Sequence, residues 1–198
     1  MQAVFIDKDG TLIEDVPYNV DPQRIRLMPG AGRALRALSG AGYALFVVSN
    51  QPGVALGYFA EAALDEVTDA LNRLLAESGV TLDGVYYCPH HPAGKVPEYR
   101  QHCLCRKPGP GLLRRAAAEH GIDLAASWLI GDILDDIEAG RRAGCRTLLL
   151  DNGHETEWRR GPGRNPHYVV DDLAEAASCI IFSAKCPGFP RPVQLCTH

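Results

Sequence analysis

The sequence of 198 residues lacks several features that would mark a particular class of protein. No apolar run approaches the roughly 20 residues of a membrane span. The first ten residues show no basic segment followed by an apolar core, so no signal peptide is expected. Lysine and arginine number 20 against 24 acidic residues, which leaves no positive excess for nucleic acid. We therefore expect a cytoplasmic protein that binds neither nucleic acid nor a membrane.

Cysteine, by contrast, is frequent for a cytoplasmic protein. The seven cysteines cannot all pair, because their number is odd. Cys88, Cys103 and Cys105 lie close together with histidines between them, which indicates a metal site rather than disulfides. Cys145 is interpreted as a small apolar residue. No role is predicted for the three C-terminal cysteines, Cys179, Cys186 and Cys196.

Short apolar segments alternate with helix-like segments along the chain. Strands are predicted at 3–7, 43–49, 84–88, 127–131, 146–151 and 167–170. Their nearly continuous apolar character is typical of strands that are covered on both faces. Helices are predicted at 30–42, 60–79, 109–121 and 135–144. This alternation predicts an α/β fold with a three-layer, doubly wound, Rossmann-like parallel sheet.

The length suits one domain, which we place at residues 1–178. The polar, Gly/Pro-rich segment 152–166 is predicted to be a surface loop. Residues 179–198 are expected to form a poorly ordered tail, because their last part contains three prolines and no periodicity.

Polar residues follow several of the predicted strands at the point where each strand ends. They are Asp7 and Asp9, Ser49 and Asn50, and Asp132, while Arg106 and Lys107 lie just before the third predicted helix. Taken singly, each could be a turn residue, a helix cap or a solvated charge. Because ligands of open parallel sheets bind at the carboxyl ends of the strands, their joint occurrence there predicts a binding site.

The residue types at this edge indicate phosphate chemistry. A like-charged pair such as Asp7 and Asp9 is costly unless a cation compensates it, and with Asp132 the pair predicts a Mg²⁺ site. Ser49 and Lys107 suit a phosphate group. One carboxylate can form an aspartyl-phosphate, and the other can act as general acid and base.

These segments resemble the haloacid dehalogenase-like phosphatase superfamily. "DKDGT", "VVSN", "RKP" and "GDILDD" are similar to its four motifs, in order, over about residues 3–151. The resemblance implies that Asp7 is the nucleophile, that Asp9 is the acid/base, and that Ser49 and Lys107 bind the phosphoryl group. It also implies that Mg²⁺ is held by Asp7, the backbone carbonyl of Asp9, and Asp132. The short intervals between the motifs leave no room for a large cap domain.

The loop at 88–105, "CPHHPAGKVPEYRQHCLC", offers three thiolates and an imidazole, a complete set for structural Zn²⁺. From the spacing alone, His90, His91 or His102 could supply the imidazole, or the cysteines could be free. The resemblance selects His90. The implied Zn²⁺ ligands are Cys88, His90, Cys103 and Cys105. The ion would fold the loop and hold the "RKP" motif at the site.

The cysteine loop and "SNQPGVALGYF" resemble the branch that contains D-glycero-D-manno-heptose 1,7-bisphosphate 7-phosphatases and histidinol-phosphate phosphatases, and they are closer to the heptose form. The resemblance implies Mg²⁺-dependent removal of the 7-phosphate from a small phosphorylated sugar, which leaves the heptose 1-phosphate. It also implies substrate-side positions at Asn50, Gln51 and Arg106. Leu56 and Ile133 stand where the family often has basic residues, so substrate affinity or identity is expected to differ.

Other functions fit parts of the sequence. Histidinol-phosphate phosphatase, or a phosphatase of another small sugar phosphate, is the alternative within the same chemistry. A zinc-stabilised binding module with an acidic edge is the alternative from another class. The complete set of motif residues favours the enzyme, for which we expect a monomer.

Overall fold

The computed structural model describes residues 1–159 and 161–185. Its six-stranded sheet is parallel throughout, in the order β3-β2-β1-β4-β5-β6. The strands are β1 (Ala3–Ile6), β2 (Ala44–Asn50), β3 (Gly84–Cys88), β4 (Trp128–Gly131), β5 (Arg146–Leu150) and β6 (Tyr168–Val170). β1 thus lies at the centre, between β2 and β4.

Helices cover both faces of this sheet. They are α1 (Ala31–Gly40), α2 (Gly53–Leu56), α3 (Ala63–Ala76), α4 (Gly111–His120), α5 (Leu134–Ala143) and α6 (Leu173–Lys185). Buried apolar residues form one core on each face of the sheet. α1, α3 and α6 contribute to the core on one face, and α4 and α5 to the core on the other. The predicted three-layer α/β fold is therefore confirmed.

β1 shows why its sequence is apolar throughout. Val4 and Ile6 point into the core beneath α1, whereas Ala3 and Phe5 point into the core beneath α4. All four residues are completely buried. Since successive side chains of a strand face opposite sides of the sheet, a strand covered on both sides cannot alternate with polar residues.

The connections at the carboxyl edge of the sheet are short. α2 and α3 fill the interval between β2 and β3, and the cysteine loop joins β3 to α4. The carboxyl edge therefore stays open, as expected for a chain without a large cap. None of the described helices is long and apolar enough to cross a membrane.

Two helices differ from the sequence-based expectations. Neither α2 nor α6 was predicted, and α6 continues past residue 178, where the expected tail begins. Ile180 of α6 is completely buried in the core that contains α1. Residues 186–198 of the expected tail, with Cys186 and Cys196, lie outside the described residues.

Candidate active site

The polar residues that the sequence places at strand ends converge on one cleft. Asp7 follows β1, Ser49 is the penultimate residue of β2 and Asp132 follows β4, while Lys107 comes from the loop before α4. The cleft has a volume of about 240 Å³. Its lining residues are Asp7, Asp9, Asp15, Ser49, Asn50, Lys107, Asp132, Ile133 and His154.

Lys107 is the central cation of the cleft and is 2% exposed. Its Nζ forms ion pairs with Asp7 and with Oδ1 of Asp136, the latter at 2.6 Å, and donates to the carbonyl of Val48 at 3.1 Å. Burial would lower the pKa of Lys107, but the carboxylates of Asp136 and Asp7 outweigh it and raise that pKa. Lys107 therefore stays protonated, and its ammonium group contacts three oxygen atoms.

The carboxyl groups around Lys107 have raised pKa values. Burial, reinforced by the charges of Asp136 and Asp9, raises the pKa of Asp7 to about 7, although Lys107 opposes the shift. Burial and the charge of Asp7 raise the pKa of Asp132 to about 6. Without a metal ion, the carboxyl groups at this edge of the sheet thus carry more negative charge than Lys107 can offset. That is the electrostatic condition under which a divalent cation binds.

Asp9 is the more accessible member of the acidic pair, with a side chain that is 31% exposed. Its carboxylate accepts a hydrogen bond from Nε2 of Gln51 at 2.8 Å and pairs with Nζ of Lys8 at 2.7 Å. Oγ of Ser49 lies 3.5 Å from the same carboxylate and accepts from Nε2 of Gln51 at 2.9 Å. Lys8, the residue between the two aspartates, is 1% exposed, and its buried ammonium group offsets the charge of the Asp9 carboxylate.

Asn50 connects the end of β2 to the loop that carries Lys107. The Lys107 N–H donates to Oδ1 of Asn50 at 2.9 Å, and Nδ2 of Asn50 donates to the Lys107 carbonyl at 3.1 Å. Asn50 and Gln51, the predicted substrate-side amides, both line a neighbouring cavity beside Pro52, and Asn50 also lines the cleft. In this structure the amides also hydrogen-bond protein groups of the site.

Arg106 lies beside the cleft, in a second cavity of about 380 Å³ that it shares with Lys107, His91 and His102. Its Nη1 is buried and has no hydrogen-bond partner among the described residues. Because buried polar atoms are nearly always paired, this nitrogen is a candidate donor to a ligand. The structure thus leaves Arg106 ready for the predicted substrate-side role.

Two groups of side chains in the described part of the chain have the composition and closeness of metal sites. In the first, carboxylate oxygens of Asp7, Asp132 and Asp136 lie within 4.8 Å of one another. These hard oxygen ligands suit Mg²⁺. Asp136 is the member that the prediction did not include, and its Oδ1 is engaged with Lys107.

The second group consists of the four predicted zinc ligands. The sulfur atoms of Cys88, Cys103 and Cys105 lie 3.1–3.6 Å from one another. Nδ1 of His90 lies 3.2 Å from the sulfur of Cys105 and 3.8 Å from that of Cys88. The sulfur atoms are too far apart for disulfide bonds and converge as tetrahedral ligands do. Among the three candidate histidines, the geometry favours His90.

The cysteine loop is in direct contact with the "RKP" motif. The backbone N–H of Arg106 donates to the sulfur of Cys103 at 3.3 Å. Burial would raise the pKa of Cys103, but hydrogen bonds from Cys105 and from the Arg106 N–H lower it. For Cys103 the environment therefore favours the thiolate form that binds a metal, whereas burial raises the pKa of the Cys88 and Cys105 thiols.

His154 also lines the cleft, although no sequence pattern indicated it. It lies in the segment predicted as a surface loop. Its Nδ1 is 2.7 Å from Oδ2 of Asp132. The contact depends on a tertiary arrangement between the ends of β4 and β5, for which no local sequence signal exists.

Comparisons with known proteins agree with this geometry. The family model described as HAD-hydrolase-like matches residues 104–176. A Salmonella typhi protein named D-glycero-beta-D-manno-heptose-1,7-bisphosphate 7-phosphatase is 45% identical over 148 residues, which are 75% of this chain and 79% of that protein. A Pasteurella multocida protein of the same name is 38% identical over 179 residues, which are 90% and 96% of the two chains.

A solved structure of D,D-heptose 1,7-bisphosphate phosphatase from B. bronchiseptica, complexed with magnesium and phosphate, has a similar fold. Its TM-score is 0.80 at 32% identity, over 92% of this chain and 99% of that chain. The family predicted from the motifs is therefore confirmed. With relatives of this identity and coverage, and with the motif residues converging on one cleft, the chain belongs to the heptose-1,7-bisphosphate 7-phosphatase family of HAD-like hydrolases.

Proposed function

We propose that the protein removes the 7-phosphate of D-glycero-D-manno-heptose 1,7-bisphosphate and leaves the heptose 1-phosphate. The observation that carries the proposal is the cleft in which buried Lys107 holds Asp7 beside Asp132 and within reach of the more exposed Asp9. Relatives that cover most of the chain are named for this reaction, which favours it over the hydrolysis of histidinol phosphate.

In the proposed reaction, the two carboxylates have separate roles. An oxygen of Asp7 attacks the phosphorus atom and forms an aspartyl-phosphate, while the bond from phosphorus to the sugar oxygen breaks. Asp9 donates a proton to that oxygen, and the sugar leaves as an alcohol. Asp9 then takes a proton from the water that attacks the aspartyl-phosphate. Inorganic phosphate leaves, and the carboxylate of Asp7 is restored.

The other residues of the cleft fix charge and geometry. Lys107 keeps Asp7 in place and offsets part of the charge that the phosphate brings. Gln51 and Lys8 hold the carboxylate of Asp9 from two sides. Bound by Asp7, Asp132 and the backbone carbonyl of Asp9, Mg²⁺ would supply the charge neutralisation that lets an anionic phosphate approach. The raised pKa values of Asp7 and Asp132 support a cation at this place.

A structural Zn²⁺ fits the cysteine loop. Three sulfur atoms and Nδ1 of His90 complete a tetrahedral set and leave no position for water or substrate. The ion would have no part in the chemistry. Its effect would pass to Arg106, whose N–H contacts Cys103 and whose buried Nη1 is a candidate donor to the sugar or its second phosphate.

Phosphate release from a small panel of substrates tests the proposal. The panel contains both anomers of heptose 1,7-bisphosphate, fructose 1,6-bisphosphate and histidinol phosphate, each measured with Mg²⁺ and with EDTA. A strong preference for one heptose anomer, lost in EDTA and restored by Mg²⁺, is expected. Weak and equal activity on all members would contradict the heptose assignment and point to a substrate changed through Leu56 and Ile133.

The enzyme class has its own test within the same panel. A zinc-stabilised binding module would release no phosphate from any member, with or without Mg²⁺. The expected monomer and cytoplasmic location stay predictions, which light scattering and cell fractionation would check.

A further inference from the structure

The loop after β5 is tied to the catalytic motifs on both sides of His154. Nδ2 of Asn152 donates to the Gly10 carbonyl, within the first motif, at 2.6 Å. Oε2 of Glu155 accepts from the N–H of Leu134, at the beginning of α5, at 2.7 Å. These two anchors fix the backbone around His154 to the two segments that carry Asp7 and Asp132.

The absence of a side chain at Gly10 leaves space for the imidazole of His154. It has a φ of +79°, and a Cβ built there would lie 2.2 Å from Oδ2 of Asp132 and 2.5 Å from Nδ1 of His154. Only glycine therefore allows the ring and the carboxylate to meet against this backbone. The position of His154 follows from the motif glycine as well as from the loop.

The carboxylate of Asp132 is held at both of its oxygens. Oγ1 of Thr11 donates to Oδ1 at 3.0 Å, and Nδ1 of His154 donates to Oδ2 at 2.7 Å. Asp132 is 4% exposed and is repelled by the nearby carboxylate of Asp7. Without the imidazole, one oxygen would lose its donor and the carboxylate could turn away from Asp7.

We propose that His154 is a positioning residue, which fixes the Asp132 carboxylate in the orientation that binds Mg²⁺. The inference rests on the proposed role of Asp132 as a ligand of that ion. Partners that orient metal ligands through hydrogen bonds commonly change metal affinity by about 10–100-fold when they are removed. His154 acts through Asp132, so its loss should weaken ion binding more than it slows turnover at saturating Mg²⁺.

Three variants separate this role from simple packing of the loop. His154→Leu removes the donor and keeps a bulky side chain. His154→Asn keeps an N–H donor, because the Asn amide nitrogen takes the place of the imidazole Nδ1. Glu157→Gln is the matched control in the same loop, where the exposed Glu157 side chain pairs only with Arg159 in the described part of the chain.

Calorimetric titration of Mg²⁺ into the metal-free full chain gives the first measurement, with thermal unfolding as a check on folding. We expect an about 10-fold or larger rise in the dissociation constant for His154→Leu. His154→Asn should stay within about threefold of the unaltered protein, and Glu157→Gln should not change it. In phosphate release, His154→Leu should need more Mg²⁺ for half-maximal rate and regain most of its kcat when Mg²⁺ is saturating.

The outcomes that overturn the inference are distinct. If His154→Leu binds Mg²⁺ as the unaltered protein does, or if the Asn and Leu variants weaken binding equally, the positioning role is wrong while the proposed metal site stands. If the unaltered protein binds no Mg²⁺, the proposed metal site and the inference fail together.

Discussion

Replacing Lys107 by methionine should destabilise the metal-free protein in a strongly pH-dependent way. Lys107 is 2% exposed, and its Nζ pairs with two buried carboxylates, those of Asp7 and Asp136. Methionine fills a similar volume but leaves both carboxylates without their cation. Breaking a buried ion pair from one side costs about 3–5 kcal/mol, and the lost hydrogen bond to the Val48 carbonyl adds about 1 kcal/mol.

The sign of the pH effect follows from the raised pKa values. In the folded protein the pKa of Asp7 is already raised to about 7 by burial, despite Lys107, and that of Asp136 is raised by burial as well. Without Lys107 both rise further. A carboxyl group with a raised folded-state pKa destabilises the protein above that pKa, and the penalty disappears as the pH falls towards the unfolded value of 3.8. The variant should therefore regain stability as the pH falls from 8 to 5.

Urea unfolding in EDTA, followed by the fluorescence of buried Trp128, measures this effect at pH 8 and pH 5. We expect Lys107→Met to lose about 4–6 kcal/mol at pH 8 and clearly less at pH 5. Lys95→Met makes the same substitution at an exposed lysine and should change neither value. A loss that is equal at both pH values, or below about 1 kcal/mol at pH 8, would refute the electrostatic argument.

Three further predictions concern other parts of the molecule. Asp7→Asn should abolish turnover without lowering the melting temperature, because it removes the nucleophile and also a buried charge. Cys105→Ser should lose bound zinc, by elemental analysis, together with stability and activity, because one of four ligands is gone. His167→Asn should flatten the fall in stability between pH 6.5 and about 4. Burial and the guanidinium groups of Arg141 and Arg146 lower the pKa of His167 to about 4, so only the unfolded chain takes up its proton in that range.

Each of these predictions has a result that contradicts it. Turnover that persists in a folded Asp7→Asn protein would show that another group is the nucleophile. Full activity of Cys105→Ser without bound zinc would show that the loop needs no metal. For His167→Asn, an unchanged slope of stability against pH would assign the acid sensitivity to other groups.

The sheet was predicted well from the sequence because each buried parallel strand is a short, nearly continuous apolar segment. All six predicted strands are present, and their ends differ from the prediction by one residue at most. The sequence pattern of α6 is weaker. Its segment "SCIIFSAK" gives an apolar run without clear helical spacing, so the periodicity that marks α3 is missing.

The site was predictable where it depends on strand ends and not where it depends on tertiary pairing. Asp7, Ser49 and Asp132 each follow an apolar strand, which is a local pattern. Asp136 lies in the first turn of α5, but Asp132 precedes that helix, so no helical spacing links the two carboxylates in the sequence. His154 had no such signal either, because only the folded loop brings it to the cleft.

The central position of β1 also constrains how the chain is made. β1 is synthesised first, yet one of its neighbours, β4, begins at Trp128, and the partner of Asp7, Lys107, is 100 residues away. On the ribosome, β1 can pair with β2 once the N-terminal half has been made. The other edge of β1 stays unpaired until β4 has been synthesised. An unpaired apolar edge attracts other chains. A nascent chain that stalls before β4 therefore exposes the strand that later carries the nucleophile, and it needs protection from aggregation.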